Sequence, residues 1–160
     1  MTDDIPLANA GVYVPPPLWF AAGLLAGWSA HRYLVALPMP GALASHARSL
    51  GPLFVVAGVV LVGWGMMTFR RAGTAIVPHQ PAARIVSHGP YRFTRNPMYS
   101  GLTLVYVGIT AILTSWWPLL LLPAVLLLVF QMVIKREEAY LRSAFGEEYA
   151  AYCALVRRWL

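Results

Sequence analysis

Charge is the scarcest ingredient of this 160-residue chain. Twelve basic and six acidic residues make 11% of it, against about 25% in a soluble domain. With 59% of residues hydrophobic, that deficit excludes a soluble globular domain and makes the chain an integral membrane protein. Cysteine occurs once, at Cys153, which excludes an intramolecular disulfide and a CxxC metal or redox pair. The four histidines, His31, His46, His79 and His88, have no HxxxH or HxH spacing, so no metal site is expected. Met1-Thr-Asp-Asp lacks the basic start of a signal peptide, and the first hydrophobic run is expected to stay in the mature protein. Internal repeats and low-complexity segments are missing too.

What charge there is has a pattern. The net charge of +6 raises nucleic acid as a partner, but ten of the twelve basic residues fall between Arg70 and Arg95 or between Lys135 and Arg158. Clusters of that kind follow the positive-inside rule and argue against nucleic acid. A span needs roughly 20 apolar residues, which leaves room for a handful. We expect an all-α integral membrane protein, one membrane domain over residues 1–160, with about four transmembrane helices at 18–37, 51–69, 98–115 and 118–134.

Around these lie a proline-rich N-terminal segment at 1–17 and a short loop from Pro38 to Ser49. A connector spans 70–97, and a C-terminal amphipathic helix spans 135–160. Four spans put both termini on the connector's side, and the basic clusters place that side in the cytoplasm. Gly23 and Gly27, then Gly51, Gly58 and Gly65, then Gly101 and Gly108 are read as close-packing faces. His31 and Arg32 are read as snorkelling toward water. Pro123 is expected to kink the fourth span, and spans three and four to form a hairpin. In the tail, Leu141, Phe145, Tyr149, Tyr152, Val156 and Trp159 make an apolar stripe at helical spacing, which Gly146 is placed to interrupt.

The most informative stretch is Gly89-Pro-Tyr-Arg-Phe-Thr-Arg-Asn-Pro-Met-Tyr-Ser-Gly101. Gly89-Pro90 signals a turn. Asn96-Pro97 reads as a helix start, with Asn96 as N-cap and Pro97 at the first helical position. Arg92 and Arg95 stand just outside that N-terminus and add their charge to its free N–H groups, which makes an anion site. The second feature is Glu137-Glu138, two carboxylates at the mouth of a membrane helix. An ordinary reading pairs Glu138 with Arg142 at i,i+4. The topology offers another, because the hairpin brings Arg92, Arg95 and the third span's start beside both glutamates. Such a pocket suits a zwitterion, and a lipid can reach it from the bilayer.

Gly89-Pro-Tyr-Arg-x-x-Arg-Asn-Pro-Met-Tyr-x-Gly101, a hydrophobic hairpin, Glu137-Glu138-x-x-Leu141 and Phe145-Gly146-x-x-Tyr149-x-x-Tyr152-x-x-x-Val156-x-Arg158 together resemble the isoprenylcysteine carboxyl methyltransferase family. Its relatives include the membrane phospholipid N-methyltransferases. The resemblance covers about residues 76–158. It implies an enzyme that uses S-adenosyl-L-methionine, bound on the cytosolic side, to methylate a lipophilic or prenylated acceptor reached from the bilayer and its lipids.

By position, it implies that Arg95, Pro97, Tyr99 and Gly101 line the cofactor site and that Glu137 and Glu138 contact the cofactor. Tyr91 and Arg92, with Tyr149 or Tyr152, are further candidates for the same cofactor site. Arg95, Tyr99 and Glu138 are the residues implied for the chemistry. The family's usual His is Asn96 here, which caps a helix well but carries no proton near neutral pH.

Methyl transfer from a sulfonium is an in-line displacement that needs alignment and a dry site. A carboxylate acceptor, the expected case, arrives ionised, whereas an amine needs a base and Glu137 or Glu138 is nearest. Aromatic faces such as Tyr99 suit a sulfonium. The alternatives are N-methylation of a phospholipid or amine, an NADPH-dependent sterol-type reductase, and a non-enzymatic membrane assembly protein. No oligomeric state follows from the pattern.

Overall fold

The computed structural model of the protein describes residues 11–74 and 82–159. Most of the expected segment 1–17, Pro78, His79 and Pro81 of the connector, and Leu160 lie outside the described residues. Five helices follow in order: α1 Pro16–Tyr33, α2 Gly41–Ala72, α3 Pro97–Leu113, α4 Trp116–Val129 and α5 Lys135–Leu155. A 3-10 turn, Gly89–Arg92, precedes α3, and a π-helical turn, Phe130–Ile134, runs α4 into α5 without a break. Among the described residues the only extended pairing is an isolated bridge from Pro38 to Ser115.

Several boundaries move, each for a local reason. α1 starts at Pro16 because proline fits the first helical turn, where no N–H is needed. The expected loop Pro38–Ser49 is largely helix, because α2 starts at Gly41 directly after the last proline stop. Ala42, Ala44 and Ala47 favour helix there, and Ser49 Oγ donates back to the Ser45 carbonyl at 3.0 Å. α2 continues through Pro52. α4 likewise runs through Pro123, and the irregularity comes later, as the π turn at 130–134. The break at Gly146 is where the sequence put it: φ 47°, ψ −118° divides α5 in two, a conformation that only glycine adopts readily.

Packing is chiefly pairwise, α2 on α3 and α1 on α4, so the two helices of the expected hairpin lean more on the earlier helices than on each other. The α2–α3 seam is glycine on glycine. A Cβ on Gly58 would lie 2.5 Å from the Gly101 carbonyl oxygen, and one on Gly51 would lie 2.7 Å from that of Gly108. These reciprocal contacts fix an antiparallel register one heptad at a time. Gly23 of α1 abuts Val125 and Tyr106, and Gly27 abuts Pro118. The core between the pairs holds Tyr106, Val129, Val133 and Ile134, all fully buried. Tyr106 satisfies its hydroxyl by donating to the Pro118 carbonyl at 2.7 Å.

The outer face of α2 is apolar and exposed, with Leu53, Val56, Val59, Val60, Trp64 and Met67 uncovered by protein. By length and composition, α2 and the continuous helix Trp116–Leu155 each contain an apolar stretch that can cross a membrane, the charged Lys135–Glu138 following that stretch in the second, while α3 is apolar but shorter. An all-α membrane protein is the result. At one end, His31 Nδ1 lies 2.8 Å from Ser115 Oγ and the Leu37 N–H points to it at 3.3 Å; the histidine is tied into the loops between helices. At the other end the N-terminal segment meets the start of α5, where Arg136 donates to the Gly11 carbonyl at 3.1 Å.

Candidate active site

At that second end, three pieces of chain meet: the approach to α3 (91–99), the first turn of α5, and the chain's last described residues. The carboxylates differ sharply although adjacent, because successive helical residues point about 100° apart. Glu137 turns to Tyr99, whose hydroxyl lies 2.9 Å from both Oε1 and Oε2. Glu138 turns the other way and is buried. Arg158 forks onto it, Nε to Oε1 at 2.7 Å and Nη2 to Oε2 at 2.9 Å. Arg95 Nη1 approaches the same Oε1 at 3.5 Å. The expected i,i+4 partner, Arg142, is peripheral: its Nη2 stands 3.9 Å away on a side chain 65% exposed.

Their protonation differs accordingly. Burial, with the negative charge of Glu138 adding to it, pushes Glu137 up to about 7 despite the hydrogen bond from Tyr99, which pulls the other way. The carboxylate fork on Arg158 raises that guanidinium further. Tyr91 and Tyr149 are both pushed well up by burial, and Tyr152 up to about 12 for the same reason.

Arg95 therefore meets Glu138 as the topology predicts, and Tyr99, implied for the site by the resemblance, meets Glu137. Arg95 also donates to Cys153 Sγ at 2.8 Å, and its Nε is buried without a partner. Pro97 is buried at the first position of α3. Tyr91 is buried against Phe69, with ring centroids 4.9 Å apart. Its hydroxyl is unpartnered, while its carbonyl accepts from Tyr152 at 2.7 Å.

Two residues are placed elsewhere. Arg92 is exposed, its guanidinium stacked 5.0 Å above the Phe93 ring, so it joins neither glutamate. Gly101 faces Gly58 across the helix seam. Asn96 holds the N-cap position of α3 but makes no side-chain cap. Its Nδ2 instead donates to the Arg158 carbonyl at 3.0 Å.

Arg158 is the residue that sequence reasoning passed over. It stands in the motif as written, but a terminal arginine also reads as one more positive-inside charge. Thr94, buried and donating to the same Arg158 carbonyl at 3.0 Å, had no signal at all.

Residues 47–148 match the phospholipid methyltransferase family. The chain belongs to that family. Among curated relatives of this phospholipid methyltransferase family member, a probable protein-S-isoprenylcysteine O-methyltransferase of Oryza sativa subsp. indica is 30% identical over 113 residues, 69% of this chain and 59% of the relative. Protein-S-isoprenylcysteine O-methyltransferase A of Arabidopsis thaliana is 25% identical over 129 residues, 78% of this chain and 66% of the relative. The Schizosaccharomyces pombe protein-S-isoprenylcysteine O-methyltransferase is 37% identical over 68 residues, 42% of this chain and 29% of that one. The match thus spans 59% of the length of the rice relative. No solved structure matches. The family match ends at residue 148, so Arg158 lies beyond it.

Proposed function

We propose that this protein is an S-adenosyl-L-methionine-dependent methyltransferase acting on a lipophilic carboxylate, in the manner its relatives' names give for isoprenylcysteine. The observation that carries the reading is the meeting of Arg95, Tyr99 and Arg158 on Glu137 and Glu138, in a chain whose family is named for methyl transfer. The cofactor bears a carboxylate, an ammonium and a sulfonium, and the residues present fit those charges. Two guanidiniums, of Arg95 and Arg158, converge on the single carboxylate of Glu138, which leaves positive charge in excess for an anion. Arg95 Nε and the Tyr91 hydroxyl are buried donors without partners. Glu137 accepts from the Tyr99 hydroxyl, and the remaining lone pairs of its oxygens have capacity for an ammonium or a hydroxyl.

The cofactor supplies, when bound, a methyl group activated on sulfur. Arg95 would hold its carboxylate, and Glu137 its ammonium. Tyr99 orients Glu137 through its hydroxyl, and Glu138 keeps Arg95 in place. An acceptor carboxylate is ionised at neutral pH and asks no base of the protein; what the chain contributes is alignment and exclusion of water. The positive-inside rule puts this end of the helices, with both termini, in the cytoplasm, and the exposed apolar face of α2 gives the acceptor a lipid-side approach.

The test is transfer of labelled methyl from S-adenosyl-L-methionine to a panel of prenylated cysteine derivatives, isoprenoid acids and total lipid. Base-labile label on an acid supports the reading. Base-stable label on a phospholipid amine moves it to N-methylation. Binding of NADPH without binding of the methyl donor would falsify it.

A further inference from the structure

We infer that Arg158 is a positioning residue of the candidate site, and that the segment Val156–Arg158 holds the site's two halves in register. The inference rests on the methyltransferase reading. At Val156 the chain leaves α5 and turns extended, φ −122° and ψ 128°, and runs beside residues 94–96. The Arg95 N–H donates to the Arg157 carbonyl at 2.9 Å. Thr94 Oγ1 and Asn96 Nδ2 both donate to the Arg158 carbonyl at 3.0 Å. Backbone oxygens of this segment therefore fix the residues on either side of Arg95 and Arg95 itself. Arg157 is exposed, and the Arg158 side chain lies over the Phe130 ring at 5.3 Å and forks onto Glu138.

The distances rank the partners. Glu138 is oriented by Arg158 at 2.7 and 2.9 Å, and Arg95 meets the carboxylate so placed at 3.5 Å. Arg95 keeps its Nε without a partner, while the rest of its guanidinium is shared among Glu138, Cys153 and Tyr149. Without the fork, Glu138 swings to Arg95 and takes up the donors a ligand carboxylate needs. A lysine supplies the charge but not the two parallel donors, so the role asks for arginine. Asn96 acquires a purpose as well: it supplies a donor to the Arg158 carbonyl that persists at every pH.

The experiment uses the full-length protein in lipid nanodiscs, with Arg158→Gln, Arg158→Lys and, as control, the peripheral Arg142→Gln. Two assays are run: steady-state kinetics, giving KM and kcat for S-adenosyl-L-methionine, and alkylation of Cys153, the only thiol, by N-ethylmaleimide. Arg158→Gln is expected to raise KM about tenfold while kcat at saturation stays within about threefold, a split that a fall in folded protein does not produce. Arg158→Lys recovers part of the loss. Cys153 alkylation in Arg158→Gln rises about threefold or more, since the same segment secures its face of α5, and Arg142→Gln changes neither reading. An unchanged KM, or a proportionate loss of all activity with melting temperature, overturns the positioning role. A wild-type protein that neither binds nor turns over the methyl donor defeats the methyltransferase reading instead. The alkylation comparison then decides the anchoring alone, and equal rates overturn it.

Discussion

Arg158 and Glu138, twenty residues apart, form a two-pronged ion pair with both bonds under 3 Å, while Glu137, the next residue along, touches neither arginine and accepts from Tyr99. Adjacent carboxylates thus have opposite relations to charge, and their removal should have opposite effects. Glu138→Gln strips Arg158, Arg95 and the peripheral Arg142 of their shared counter-ion. Breaking a buried pair costs about 3–5 kcal/mol, and because the Arg158 side chain is 35% exposed about 2 kcal/mol is expected here. Glu137→Gln should be neutral or stabilising at pH 7. Thermal unfolding of both variants in one detergent checks the order, and equal losses would contradict it.

The pH dependence of stability follows from Glu137. Its folded value of about 7 lies above the ordinary 4.5, so the folded state holds this proton more tightly than the unfolded chain does. The contribution is fully present below 4.5 and is lost as pH rises through 7. The shift corresponds to about 3 kcal/mol, discounted to about 2 kcal/mol because the side chain is half-buried. Stability of wild type minus that of Glu137→Gln, measured from pH 4 to 8, should fall across that window; a flat difference would rule the shift out.

The glycine seam makes a paired prediction. Gly58→Ala places a methyl against the Gly101 carbonyl and within 2.8 Å of the Val105 nitrogen, where backbone cannot yield without parting the helices. About 1–3 kcal/mol of destabilisation is expected. Gly63, in the same helix, has nothing within 4 Å of an added Cβ, and Gly63→Ala should gain about 0.5–1 kcal/mol in helix propensity. Denaturation curves that rank the two the other way would refute the antiparallel register.

Asn96→Asp exchanges the donor facing the Arg158 carbonyl for an oxygen, at a buried position. A loss of about 2–3 kcal/mol is expected. Asn96→Ala, which removes the donor without adding repulsion, should lose about 1 kcal/mol. Limited proteolysis should show the C-terminal segment released earlier in the aspartate variant, and identical digestion would count against the contact.

Much of the candidate site is legible in the sequence. Arg95 follows from a turn, a proline and a helix start, and its meeting with Glu137-Glu138 from the return of one helix beside another, whereas Tyr99 enters through the family resemblance. Arg92 is expected beside the glutamates on the same grounds as Arg95, and there the expectation fails. The 3-10 turn at Gly89–Arg92 carries it to the surface, where the Phe93 ring takes it up. Asn96 is legible as a cap, but its Nδ2 donates to the Arg158 carbonyl, and a side chain turned that way does not present its oxygen to the N–H groups of α3.

What the sequence by itself determined is whatever is written locally or in sums: membrane residence from the scarcity of charge, helices from apolar runs, their close seam from glycines seven apart, the break at Gly146. Those properties belong to composition and period, and no distant residue can revoke them. Only the tertiary structure decided which partner each charged group has. Glu137 and Glu138 are identical in the sequence, and helix geometry sends them to different neighbours. Arg158 is one basic residue in a basic tail until the chain turns at Val156 and lays it against the approach to α3. Partner choice depends on separations of a few ångströms between residues tens of positions apart, and those distances come into being only when the helices pack.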